Sequence, residues 1–292
     1  MKKYAKTLLK VLVSAGLIAF LYFKVDKQAL VETISHVNLA YTPLIILLLV
    51  LNYFISSVRW KFLLLESRSK VSVWYLTSLY FIGSFFNNFM PTSIGGDVYK
   101  IYRLGKKIGD SSRGFSSTFM ERFTGIIVLG LISIFGLTRY IGWFVILVVF
   151  AFGIGIFVGL KFLKVISHKF PKLKPYADSL YSYRHNKSVV YWALVTSIIV
   201  QLCAIFTQYF IFIALGAELP LWAAFMFFPL ITLASFFIPS LNGIGVQDTL
   251  YRDLFVLVNI ASPVALSASI LYHISRLTVS LIGGLLYAAG KD

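Results

Sequence analysis

Charge is scarce in this chain. Of its 292 residues, 13% are Asp, Glu, Lys or Arg, and only 11 are acidic. Soluble domains carry about a quarter charged residues, so a water-soluble globular protein is excluded. Cysteine is nearly absent. Cys203 is the sole one and lies within an apolar run, which leaves no disulfide framework and no thiolate metal site. Metal-ligand spacings, a nucleophile–base pair, a P-loop and a dinucleotide fingerprint are all missing. The sequence therefore gives no reason to expect an enzyme or a cofactor. Long polar stretches are missing too: the longest, residues 164–187, reads as a loop. A single polytopic membrane domain over 1–292 is expected.

What is present is apolar sequence. Hydrophobic residues make up 59% of the chain, mean hydropathy is +0.84, and several runs approach or exceed the roughly 20 residues a membrane helix needs. The net charge of +16 invites a nucleic-acid partner. That reading is rejected because the basic residues sit in short loops between apolar runs, where they suit an anionic cytoplasmic leaflet. The start, Met1-Lys2-Lys3-Tyr4-Ala5-Lys6, superficially resembles a signal peptide. No small-x-small cleavage site follows the apolar run, and Lys24 and Asp26 close it, so an uncleaved first span is expected.

Charge asymmetry orders the spans. Span 1 (7–23) leaves the cytoplasm, a short amphipathic linker (27–37) lies outside, and span 2 (39–57) returns to a loop with Arg59, Lys61, Arg68 and Lys70. Arg59-Trp60 reads as an interfacial anchor there. Span 3 (115–137), an outer turn at Thr138-Arg139-Tyr140, span 4 (141–163), span 5 (189–215) and span 6 (263–289) follow. Six crossings put both termini in the cytoplasm, in the cell membrane.

Two apolar segments break where a helix should continue. Residues 71–90 run into Pro91-Thr92-Ser93-Ile94-Gly95-Gly96-Asp97, and residues 222–260 are interrupted by Pro239-Ser240-Leu241-Asn242-Gly243-Ile244-Gly245-Val246-Gln247-Asp248. The first has basic residues on both flanks, so it is expected to dip in and come back. Irregular backbone at membrane depth is tolerated only when buried in protein or lining a wet cavity. The expected fold is all-α: about six transmembrane helices plus two re-entrant broken-helix hairpins.

The two halves match in order. Asn52-Tyr53-Phe54-Ile55 parallels Gln208-Tyr209-Phe210-Ile211, the Pro-to-Gly tips parallel each other, and Arg122-Phe123-Thr124 parallels Arg276-Leu277-Thr278. Units 39–138 and 189–289 begin on opposite sides, so the repeat is inverted, with 1–38 and 139–188 as accessory span and connector. Paired broken segments in inverted repeats are the sequence pointer to a transporter's binding site.

Charge inside a span needs a reason, because each such residue costs roughly 2.5–3.5 kcal/mol at a helix centre. Arg276 lies deep in span 6, Arg122 next to Glu121 in span 3, and Asp97 and Asp248 at the hairpin tips. Either the arginines pair with Asp97, Asp248 or Glu121 to hold the fold, or they form a cationic cavity for an anionic headgroup, which the arginine fork suits. Gly95, Gly96, Gly243 and Gly245 permit turns or an amide-lined anion site. Asn87, Asn88, Asn242 and Gln247 contact ligand or satisfy broken backbone. His273, one turn before Arg276, is read as a packing residue.

Taken together, Asn88-x-x-Pro91, Gly95-Gly96-Asp97, Arg103, Glu121-Arg122, Pro239-x-x-x-Gly243-x-Gly245-Val246-x-Asp248 and Arg276 resemble the flippase-like transmembrane region of lysylphosphatidylglycerol synthases. The resemblance spans nearly the whole chain. It departs from the usual pattern at Asp97 and Asp248, where glutamate is commoner. It implies a flippase for modified phospholipids, with these motif residues at the substrate site, and the soluble lysyl-transferring domain of two-domain relatives is expected to be absent.

Three functions therefore stand at this stage. The first is a flippase for an anionic or modified phospholipid or lipid-linked headgroup. The second is a subunit presenting lipid to a separate lipid-modifying enzyme, and the third an ion-coupled small-solute transporter. The membrane and a phospholipid headgroup are the expected partners, and a homodimer stays open.

Overall fold

The computed structural model describes residues 27–89, 95–144, 146–147, 153–155, 174–238, 240 and 242–290. Span 1, most of span 4, Pro91 and Pro239 lie outside them, as do the ends of the chain. The described residues are predominantly helical and include no strand. Their principal helices are α1 (Lys27–Ser35), α2 (Thr42–Leu63), α3 (Val73–Phe89), α4 (Gly95–Ile108), α5 (Ser111–Ile141), α6 (Lys174–Tyr181), α7 (Lys187–Ala214), α8 (Leu221–Phe237), α9 (Val246–Phe255) and α10 (Ser262–Ala288).

Among the described residues, four helical segments are long and apolar enough to cross a membrane: Leu39–Leu63, Ser111–Thr138, Lys187–Ala214 and Ser262–Ala288. They correspond to spans 2, 3, 5 and 6. The expected outer turn at 138–140 instead belongs to α5, which runs on to Ile141. The helix ends where Gly142 takes φ 50°, a left-handed value that costs glycine little. The expected loop 164–187 contains α6, which packs against α5.

Each broken segment is a pair of helices, α3–α4 and α8–α9. The partners of one pair mirror those of the other. Helix α3 packs on α10 and α8 on α5; α4 packs on α5 and α9 on α10; α2 and α7 pack on each other. Close backbone approach makes this possible. A Cβ added to Gly96 would stand 2.0 Å from the Gly83 carbonyl oxygen, and one added to Gly283 would stand 2.0 Å from that of Phe81, so small residues set the α3–α4 and α3–α10 spacing.

Two apolar clusters hold the pairs. Under α8–α9 lie Phe212, Phe227, Phe228, Tyr251 and Phe255, with the Phe212 and Phe255 rings 4.5 Å apart. Under α3–α4 lie Trp60, Leu64, Leu76, Leu79 and Leu104, none of them solvent-accessible. Trp60 is thus no interfacial anchor: its indole donates to Ser117 Oγ at 3.1 Å inside the protein. Burying so large a ring beside α5 outweighs an interfacial position. At the end of α2, the Tyr183 hydroxyl donates to the Leu63 carbonyl. Burial pushes its pKa up to about 12, so it remains a donor.

Candidate functional site

The site begins with the turn into α9. Asn242 has φ 49°, Gly243 φ 88° and Gly245 φ 86°. Asparagine and glycine tolerate the left-handed region better than other residues, so the chain can reverse here between two buried helices. The Gly245 N–H donates to Asp248 Oδ2 at 2.7 Å, tying off a free amide of the first turn of α9. In the other pair the Gly96 N–H donates to Asn87 Oδ1 at 2.7 Å.

These turns flank a cavity of about 340 Å3. Its walls come from α2, α3, α4, α5, α7, α8, α9, α10 and the α8–α9 turn, and its polar lining includes Tyr53, Arg59, Tyr80, Asp97, Lys100, Glu121, Arg122, Asn242, Gln247 and Arg276. Four basic side chains thus face two carboxylates, an excess of two positive charges before any ligand is considered.

On one side the charges are locked together. Arg122 donates to Asp97 Oδ2 through Nε at 2.7 Å and Nη2 at 2.5 Å. Lys100 Nζ stands 3.3 Å from both Asp97 and Glu121. Arg59 closes the network, with Nη2 on Glu121 Oε1 at 3.0 Å and Nη1 on Ser197 Oγ at 2.8 Å. Lys100 Nζ also lies 3.9 Å from the Tyr80 ring centroid, a cation–π contact within a desolvated setting. Arg59, Lys100, Asp97 and Glu121 are all buried, whereas the Arg122 side chain is 37% exposed.

Across the cavity the chemistry differs. Arg276, midway along α10, donates from Nη2 to Asn242 Oδ1 at 2.8 Å and lies 5.3 Å from the Tyr272 ring centroid. Among the described residues, no carboxylate contacts it. Asn242 Nδ2 passes the chain on to Asn88 Oδ1 at 2.6 Å, and Asn88 Nδ2 to Ser280 Oγ at 2.6 Å, so neutral amides join the tips of both helix pairs. Behind this, Asp248 accepts from Ser269 Oγ at 2.6 Å, and His273 Nε2 stands 3.3 Å from its Oδ1. Among residues lining the cavity, Arg59 Nε, Tyr80 OH and Gln247 Oε1 are buried without a hydrogen-bond partner.

Of the residues singled out from the sequence, Asn87, Asp97, Glu121, Arg122, Asn242, Gly243, Gln247 and Arg276 meet at the cavity. Asn88, Gly95, Gly96, Gly245 and Asp248 do not line it; Asn88, Gly96, Gly245 and Asp248 bond to the turns and helices that shape it. Arg103 is not among the lining residues either, and its carbonyl accepts from the Tyr75 hydroxyl at 3.4 Å. Arg59 and Lys100 carry half of the cavity's basic charge and went unrecognised as site residues, because each looked like part of a cytoplasmic basic flank. For Lys100 a signal existed: it lies one turn after Asp97, on the same face of α4.

No curated protein and no solved structure matches the chain. A family profile described as the lysylphosphatidylglycerol synthase TM region matches residues 7–284, nearly the full length and every element around the cavity, and the chain belongs to that family.

Proposed function

We propose that the chain moves an anionic or zwitterionic lipid headgroup between the two leaflets of the cell membrane, binding it in the central cavity while the acyl tails stay in the bilayer. One observation carries this reading. Arg276 sits in the middle of an apolar helix, faces a polar cavity, and is bonded there to a neutral amide rather than to an acid. A cation held inside a membrane without a counter-ion is costly, and a phosphate would relieve it with bidentate hydrogen bonds. Arg122, already sharing Asp97, offers a second, half-open cation. The unpaired donors Arg59 Nε and the Tyr80 hydroxyl suit the same kind of ligand.

The mirrored packing of α3–α4 and α8–α9 supports reading them as two re-entrant hairpins of an inverted repeat. Rocking one unit against the other would expose the cavity to each leaflet in turn. The amide chain Arg276–Asn242–Asn88–Ser280 joins the two hairpins through neutral hydrogen bonds. Such bonds are worth less than charged ones, so they can break and re-form as the units move.

Native mass spectrometry of the purified chain tests the binding step. A phospholipid retained by the wild type and lost in Arg276→Ala supports the reading. Retention of the same lipid by both proteins removes Arg276 from the site.

A further inference from the structure

The two buried aspartates of the helix pairs are neutralised in different ways. Asp97 on α4 is held by Arg122 and by Lys100. Asp248, its counterpart on α9, has neither. It accepts neutral hydrogen bonds from the Gly245 N–H and Ser269 Oγ, and the nearest basic atom is His273 Nε2, 3.3 Å away. That nitrogen is itself buried and makes no hydrogen bond. An isolated carboxylate in a membrane interior is expensive. Adding one proton to the imidazole turns Asp248 and His273 into a neutral ion pair. Removing it leaves a bare negative charge.

Among the described residues, few other titratable groups lie near the pair. Asp248 and Tyr251 come from α9, Tyr272 and Arg276 from α10 itself, and Tyr53 from the neighbouring α2. Helices α3 and α8 contain no carboxylate, lysine, arginine or histidine. Helix α1 also packs on α10, but its Glu32 is exposed. Arg252 lies one turn beyond Asp248 and is paired with Asp253 at 2.6 Å.

We propose that His273 and Asp248 form a proton-binding site linked to anion occupancy at Arg276, so that a proton travels with the headgroup. This rests on the translocation reading above and adds its energy source. His273 and Arg276 are three residues apart on α10 and so share a face. With the cavity empty, the Arg276 charge opposes a second positive charge one turn away. An anion on Arg276 removes that opposition and favours the imidazolium. One proton is bound when a monoanionic headgroup enters and is released when the headgroup leaves, so the step moves no net charge.

Two measurements on the full chain decide this. In the first, histidine-labelled protein in phosphatidylcholine nanodiscs is titrated by NMR between pH 5 and 8.5, with and without short-chain phosphatidylglycerol. His273→Gln assigns the resonance among the four histidines. The expected result is a His273 that titrates in this range, moves to higher pH when the probe is added, and moves to lower pH in Asp248→Asn. A His273 that stays neutral throughout, or one indifferent to the probe, overturns the proposal.

In the second, proteoliposomes carry fluorescent phosphatidylglycerol under an imposed pH gradient. The gradient should accelerate wild-type translocation several-fold and leave His273→Gln unaffected by its presence, with that variant still moving lipid. Equal acceleration of both proteins overturns the coupling. If the wild type moves no lipid under any gradient, the translocation reading fails, and the NMR titration still decides whether the proton site exists.

Discussion

Arg276 donates to the side-chain oxygen of Asn242 at 2.8 Å, and that neutral bond is what leaves its charge available in the cavity. Replacing the Asn242 amide by a carboxylate reverses the situation with almost no change in shape. Asn242→Asp should therefore supply Arg276 with an internal counter-ion. We expect at least a tenfold loss of retained lipid with the melting temperature unchanged or raised. Lipid binding at wild-type strength in this variant would mean that the Arg276 charge is not what holds the ligand.

The buried network on the opposite side should behave as a structural unit. Arg59→Met leaves Glu121 with Lys100 as its remaining ion-pair partner, and truncating one side of a buried pair typically costs about 3–5 kcal/mol. The double variant Arg59→Met/Glu121→Leu removes both charges and should recover much of that loss. Thermal unfolding in detergent, run as a double-mutant cycle, measures the coupling; additive effects would show that the two side chains act independently.

Backbone spacing between α3 and α4 gives a third expectation. Gly96→Ala places a methyl 2.0 Å from the Gly83 carbonyl oxygen, a clash that moving one side chain cannot relieve. We expect a large fall in folded yield. Gly153→Ala meets no described residue within 4 Å and serves as the neutral control.

The N-terminus of α5 offers a pH-dependent test outside the membrane. Partial burial raises the pKa of Asp110, but hydrogen bonds from the Arg113 N–H at 2.9 Å and the Ser112 hydroxyl at 2.7 Å outweigh it, so the carboxyl is held below its ordinary value. A depressed folded pKa contributes stability that is present above the unfolded pKa and lost as pH falls through the folded one. Asp110→Ala should cost about 1 kcal/mol at neutral pH. The difference from wild type should shrink as the pH drops below the ordinary aspartate range. A constant gap across that range would assign the loss to something other than the charged cap.

The sequence carried the helical class, four of the spans and both interruptions, because apolar run length, proline, glycine and asparagine act locally. Arg122 with Asp97, and Arg276 without an acid, were separated only in three dimensions. Both arginines sit in the same motif position, and which one finds a carboxylate depends on how α4 and α9 dock. Arg59 and Lys100 show the limit of charge rules. Basic residues at the cytoplasmic end of a span normally face water or headgroups, but here Glu121 and Asp97 draw both inward. His273 was read as packing, and only the position of Asp248 beside it motivates the proton site proposed above.

Translocation itself is the claim to test first. Purified chain is reconstituted into liposomes containing fluorescent phosphatidylglycerol, and the rate at which the label becomes accessible to a membrane-impermeant quencher is compared for wild type, Arg276→Ala and Arg276→Lys. The account predicts that wild type accelerates exchange well above protein-free vesicles. Arg276→Ala should lose at least tenfold of that rate, and Arg276→Lys, which keeps the charge without the bidentate fork, should fall between. Equal rates for wild type and Arg276→Ala, both proteins being folded, would contradict it.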